Sequence, residues 1–224
     1  MPSILSYSKG TGSQSAVTTA IDTTGATLLV CGIGGAYETT GTTPSISDNA
    51  GNVWNWIRRD TSNGYQTEFL LYCPNPITKS GYTFSAAYPD GYLNIMLIAA
   101  YNVGSGITIS TLDQHNGNSV TTRTLTHFQP GSITPTTNNQ LIVTIETTGN
   151  APNATVDSPY ITLIQVPSNL SYQSALGYYS QPTLAATNPN WVGTSDGWAA
   201  AVASFKVADG GPKNTGSGWF LFYQ

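Results

Sequence analysis

The apolar residues of this chain gather into runs the length of a β-strand, and the runs are punctuated by Asn-Gly and Asp-Gly pairs. That punctuation constrains the fold more than any other feature, because these dipeptides accept positive φ at low cost and so close tight hairpins. The stretches from Val53 to Arg58 and Thr67 to Cys73 flank Asn63-Gly64, those from Tyr82 to Tyr88 and Tyr92 to Tyr101 flank Asp90-Gly91, and those from Ile107 to Asp113 and Ser119 to Thr126 flank Asn116-Gly117. A fourth pair, Asp196-Gly197, precedes Trp198 to Val207. Further strand candidates run from Ser15 to Ile21, Ala26 to Gly32, Gln140 to Thr147, Tyr160 to Val166 and Ser174 to Tyr179. No segment keeps a helical period over several turns.

The expected fold is therefore all-β, an antiparallel two-sheet β-sandwich or jelly roll over residues 1–208. Tyr92 to Tyr101 and Trp198 to Val207 are apolar or small on both alternating faces, as in central strands whose outer face a second layer or a subunit covers. Residues 209–218 read as a Gly-rich linker, and residues 219–224 as an aromatic tail. Such a tail would drive aggregation if exposed, so it is expected to dock, as the last strand of its own sheet or by strand addition to a neighbouring subunit. Trp219, Phe220, Phe222 and Tyr223 are the candidate assembly residues.

Only 8% of the 224 residues are charged, while 39% are hydrophobic and 11% aromatic. An ordinary soluble domain carries about 25% charged residues, so solubility here rests on hydroxyls and amides. The formal net charge of -4, with seven scattered Lys and Arg, leaves no basic stripe for phosphate neutralisation and argues against a nucleic-acid partner. No apolar run is long enough for membrane insertion as a helix. Cys31 and Cys73 sit in strand-like runs without other ligands at metal spacing, and they read as two buried free thiols or as one cross-strand disulfide.

The groups that hydrolytic chemistry needs are dispersed. Asp22, Glu38, Asp48, Asp60, Glu68, Asp90, Asp113, Glu146, Asp157, Asp196 and Asp209 form no paired motif, and His115 and His127 read as loop residues. No Gly-rich phosphate loop and no metalloprotease or serine-hydrolase signature is present. The chain is expected to be non-enzymatic and to need no cofactor.

The run Ser47-Asp48-Asn49-Ala50-Gly51-Asn52-Val53-Trp54 carries the most specific local signal. Asp48, Asn49 and Asn52 present closely spaced oxygens that could hold calcium, but with few carboxylates, and an Asx turn leading into a strand is the favoured reading. The same Asp-x-x-Gly-Asn-x-Trp turn is followed by Phe69-Leu70-Leu71-Tyr72-Cys73, by Gly81-Tyr82-Thr83-Phe84 and by the strand from Trp198 to Lys206. Together they resemble a recurrent β-sandwich module of bacterial secreted proteins and tailed-phage virion proteins. The resemblance spans roughly Ser15 to Val207 and implies a fold; no catalytic set comes with it.

Aromatic residues near strand ends supply a second functional expectation. Trp54, Trp56, Tyr65, Tyr178, Tyr179, Trp191 and Trp198 include core fillers, but Trp56 and Trp191 each adjoin Asn and, with Tyr65, are candidate sugar-stacking residues. The leading expectation is a structural or surface protein of an extracellular or viral assembly, such as a capsid decoration, fibre or tail component. Its partners would be further subunits, in a homo-oligomer. A carbohydrate-binding module or adhesin that binds cell-surface or environmental polysaccharide is the alternative. No secretion signal is visible at Met1 to Gly10, so a virion or extracellular location would be reached by lysis or a dedicated route.

Overall fold

A computed structural model describes residues 1–36, 43–62, 66–87, 93–104, 111–121, 125–149, 154–166, 172–195 and 197–207. Sixteen strands make up the described secondary structure. The first eight are β1 (Ser3–Gly12), β2 (Ser15–Val17), β3 (Leu28–Ala36), β4 (Ser45–Asp48), β5 (Asn55–Thr61), β6 (Gln66–Pro74), β7 (Phe84–Ala87) and β8 (Leu93–Asn102). The second eight are β9 (Leu112–Val120), β10 (Leu125–Phe128), β11 (Gln140–Gly149), β12 (Thr155–Val156), β13 (Ile161–Val166), β14 (Tyr172–Gln181), β15 (Trp191–Ser195) and β16 (Trp198–Phe205).

All pairings are antiparallel, and they form four sheets where the sequence suggested two. The first eight strands give a five-stranded sheet, β1-β8-β3-β6-β5, and a three-stranded sheet, β2-β7-β4. The second eight give β9-β16-β11-β14-β13 and β10-β15-β12. Adding eight to each strand number converts the first pair of orders into the second, so one topology is built twice. Even an isolated bridge is repeated: Ile21 and Tyr82 exchange backbone hydrogen bonds in the first half, as Ile133 and Thr187 do in the second.

Alternation explains the layering. In β3, Leu28 and Val30 face one way and Leu29, Cys31 and Ile33 the other, and both faces are apolar because both are covered. One face meets the second half: Leu70, Tyr72, Leu97, Ala99 and Tyr101 pack on Leu141, Val143, Ile145, Leu176, Ala203 and Phe205. The other lies under the small sheet, with Phe69, Leu71, Met96 and Ile98 beneath Ala16, Tyr82, Phe84 and Ala86. The second half copies this, placing Ile142, Ala175 and Val202 beneath Phe128, Val156 and Trp191. The layers thus run three, five, five and three strands, and β8 and β16, the two strands expected to be central, occupy the same place in the two halves.

The seam between the five-stranded sheets has a pseudo-twofold. β5 meets β9 where β13 meets β1, β6 meets β16 where β14 meets β8, and β3 meets β11 on the axis. Each edge is closed by a cation reaching a carbonyl: Arg58 Nη2 donates to Gly117 O at 2.9 Å, and Lys9 Nζ donates to Gln165 O at 2.6 Å. Glu68 is fully buried in this seam, and neither carboxyl oxygen has a hydrogen-bond partner. Burial, then the neighbouring Asp60 carboxylate, pushes its pKa well above the ordinary 4.5, against the opposing pull of Arg58. Glu146, fully buried on the outer face of the second large sheet, is also raised by burial, despite Gln173 Nε2 donating to its Oε1 at 3.3 Å.

Two expected hairpins are absent. Asn116-Gly117 lies inside β9, paired with Val202 and Ala201, because a Cβ on Gly117 would collide with the Asp60 carboxylate and the Arg58 guanidinium across the seam. That glycine serves close approach, not a turn. The runs flanking Asp90-Gly91 become β7 and β8 of different sheets, while β5 and β6 pair as expected on either side of Asn63-Gly64; both dipeptides themselves lie outside the described residues.

Candidate functional site

Asp48 ends β4 and organises the turn after it. Its Oδ1 accepts the backbone N–H groups of Ala50 at 2.9 Å, Gly51 at 2.7 Å and Asn52 at 3.2 Å, and its Oδ2 accepts Trp54 Nε1 at 3.1 Å. Burial pushes this carboxyl up, but those donors outweigh it and hold the pKa below 3.8. Asn52 Oδ1 accepts the Ile77 N–H at 2.7 Å, its amide donates to Tyr82 Oη, and Asn49 O accepts Lys79 Nζ at 2.9 Å. The side-chain oxygens of Asp48 and Asn52 considered for calcium thus accept protein N–H groups, Asp48 in an Asx turn, and the Lys79 ammonium sits on the Asn49 carbonyl. Among the described residues no His, Cys, Asp and Glu cluster is arranged to hold a metal ion.

The tryptophans chosen for sugar stacking separate. Trp191 is 0% exposed: it starts β15, faces the core of the second half, and donates its Nε1–H to Thr144 Oγ1 at 3.1 Å. Its expected exposure is overturned, because Val156 and Phe128 flank it in the small sheet and aim it onto the large one. Trp56 on β5 is 44% exposed and meets the buried Phe69 edge-on at 5.7 Å. Tyr65 lies outside the described residues, as do the linker and the tail with Trp219, Phe220, Phe222 and Tyr223.

Asp113 is a structural anchor. It accepts Thr136 N and Thr136 Oγ1 at 2.6 Å each and Gln140 Nε2 at 2.6 Å, and it pairs with Lys206 Nζ at 3.2 Å. Burial raises its pKa and these donors more than reverse the effect, so it sits below 3.8. Its side chain makes none of these bonds with His115, which is exposed on β9. Cys31 and Cys73 are free and buried, facing the first outer layer; burial pushes both thiols up, Cys73 to about 12.

His127 lies in a constellation that sequence spacing does not reveal. Asn190 Nδ2 donates to Asp157 Oδ2 at 2.7 Å and lies 3.2 Å from His127 Nδ1. These three residues wall an open cleft of about 710 Å³ together with Asn118, Gln129 and Asn188. Its floor is the stacked pair Phe128 and Trp198, with centroids 5.3 Å apart and planes at 27°. Gly131 N–H donates to Asn188 Oδ1 at 3.1 Å, which fixes that amide and leaves its NH2 group available. The Trp198 indole N–H is buried without an acceptor.

Duplication explains why this cleft exists. Pairing of β1 with β8 and of β9 with β16 places Gly10 at the position of Asn118, and Gly12 at that of Val120. In the first half β2 descends onto β1 so closely that a Cβ on Gly10 would overlap Val17 O, and one on Gly12 would overlap Ser15 O. In the second half those positions carry side chains, β9 and β10 scarcely touch, and the flank stands open. The Asn-Pro-Asn run ahead of Trp191 and the His-Phe-Gln-Pro-Gly run from His127 were its only sequence signals. Family models, curated proteins and solved structures yield no match to this chain, and its own geometry carries the functional reading.

Proposed function

We propose that this protein is a non-catalytic structural or surface component of an extracellular or viral assembly, such as a capsid decoration, fibre or tail component of a bacteriophage virion. The observation that carries the reading is the doubled strand order. Each half is an eight-stranded antiparallel pair of sheets, which we read as a jelly-roll variant with its fifth strand on the large sheet, and jelly rolls recur in capsid and lectin domains. The step from fold to role is an analogy. Two such units share one apolar core between their large sheets, and the hydroxyl-rich, weakly charged composition suits exposure outside a cell.

The reading predicts self-association through the aromatic tail. Light scattering across a concentration series should show an oligomer for the full chain and a smaller species after deletion of residues 219–224, with unchanged circular dichroism. A full chain that stays monomeric throughout would sink the homo-oligomer, and an oligomer indifferent to the deletion would remove the tail from its assembly. Carbohydrate recognition is the second reading, favoured by the polar cleft beside β10.

A further inference from the structure

We propose that the cleft between β9 and β10 binds a neutral sugar residue, as a free unit or within a glycan. The inference rests on the carbohydrate reading and gives it a place distinct from Trp56 and Trp191. The cleft distinguishes the two halves: the same flank of the sister half is closed by β2 lying over Gly10 and Gly12, and the matching positions here carry Asn118 and Val120. Its volume of about 710 Å³ lies within the range of ligand pockets and exceeds what one pyranose ring fills.

The wall chemistry selects the ligand. Sugar hydroxyls each donate and accept, and they are matched by side-chain amides and carboxylates presented at fixed angles. Asn118, Gln129, Asn188 and Asn190 supply amides, and Asp157 supplies an acceptor that Asn190 holds in place at 2.7 Å. That bond orients Asp157 before any ligand arrives, which reduces the ordering cost of binding. Trp198 lines the floor beside Phe128 and offers the face or edge of a ring, while its indole N–H stays buried without an acceptor inside the protein. Among the described lining residues there is no Lys or Arg, His127 is the basic group and Asp157 the carboxylate, so the wall favours a ligand without charge of its own.

The test is an amide NMR titration of the full chain with glucose, galactose, mannose, N-acetylglucosamine and glucuronic acid, followed by dextran and a galactan. At least one neutral sugar should shift the amides of Asn118, Gly131, Asn188 and Asn190, and glucuronic acid should not. Asn190→Ala and Asp157→Asn should weaken binding by about tenfold or more, with the thermal midpoint showing that each variant is folded. Trp198→Phe, which keeps the ring stack and removes the N–H, should weaken it less. A polysaccharide that gives the same shifts where no free sugar does would support the site and assign it to an internal glycan unit. Sugar binding that survives both wall variants, or maps to Trp56, would overturn the cleft while leaving carbohydrate recognition standing. Silence from every probe would overturn both.

Discussion

Tyr72 of the first half packs against Phe205 of the second with ring centroids 5.5 Å apart and planes inclined by 56°. Exchange of the halves carries this pair onto Tyr178 and Tyr101, whose rings lie 6.2 Å apart, again at 56°. The seam is therefore a self-complementary interface inside one chain, and each large sheet uses it to cover one of its two apolar faces. Near the axis, a side chain on Gly34 would collide with Ser174 Oγ and Thr147 Oγ1, which hydrogen-bond each other at 2.8 Å. Gly34→Val should cost about 1–3 kcal/mol through overpacking, read as a lower urea midpoint. Unfolding should remain one transition by fluorescence and circular dichroism alike; two separated transitions would show that the halves do not depend on the seam.

Stability should fall as pH rises above the ordinary carboxyl range. Glu68 and Glu146 keep their protons in the folded chain, whereas the unfolded chain releases them near 4.5. The folded state binds more protons over that window, so the slope of stability against pH is negative there, up to about 1.4 kcal/mol per pH unit for each carboxyl. Asp48 and Asp113, held below 3.8, act in the opposite sense, and their stabilisation is lost as acid protonates them. Glu68→Gln with Glu146→Gln should flatten the fall above pH 5 and raise the thermal midpoint at pH 8. A double variant with an unaltered pH profile would refute neutral burial of these carboxyls.

Asp48→Ala should destabilise by about 2–3 kcal/mol, because three backbone N–H groups and the Trp54 indole lose one acceptor. Calcium and a chelator should leave the wild-type thermal midpoint in place. A calcium-dependent rise would mean that Asp48, Asn49 and Asn52 rearrange around a cation.

Trp191→Ala should cost about 3–5 kcal/mol, since it empties a site under the small sheet and strips Thr144 of a donor. Trp56→Ala, at a residue 44% exposed, should cost well under half as much by denaturant titration. Equal losses would contradict the difference in burial.

Strand content and the doubly covered strands were legible because local alternation and turn chemistry report burial directly. The doubling was not. Tyr72 and Tyr178 share a position, as do Leu28 and Leu141, but insertions change the sequence offset from strand to strand, so no fixed period emerges. Gly117 misled for a different reason: glycine marks a turn in sequence, and here it admits side chains from another sheet. Asp48 was readable because its partners lie within six residues. The cleft was hidden because Asn118, His127, Asp157 and Asn190 come from separate strands and connections. Trp191 was misread through its neighbour Asn190, which does face outward.

The contact pattern that maps onto itself under exchange of halves is what gene fusion of a self-associating ancestor would leave behind. In such an ancestor both flanks were the same by descent, and whatever lined one lined the other. The two halves of this chain differ there: the Gly10 and Gly12 flank is shut, while the Asn118 and Val120 flank stands open on one side. In the assembly proposed above, each chain would display one such opening, with valency set by subunit count alone.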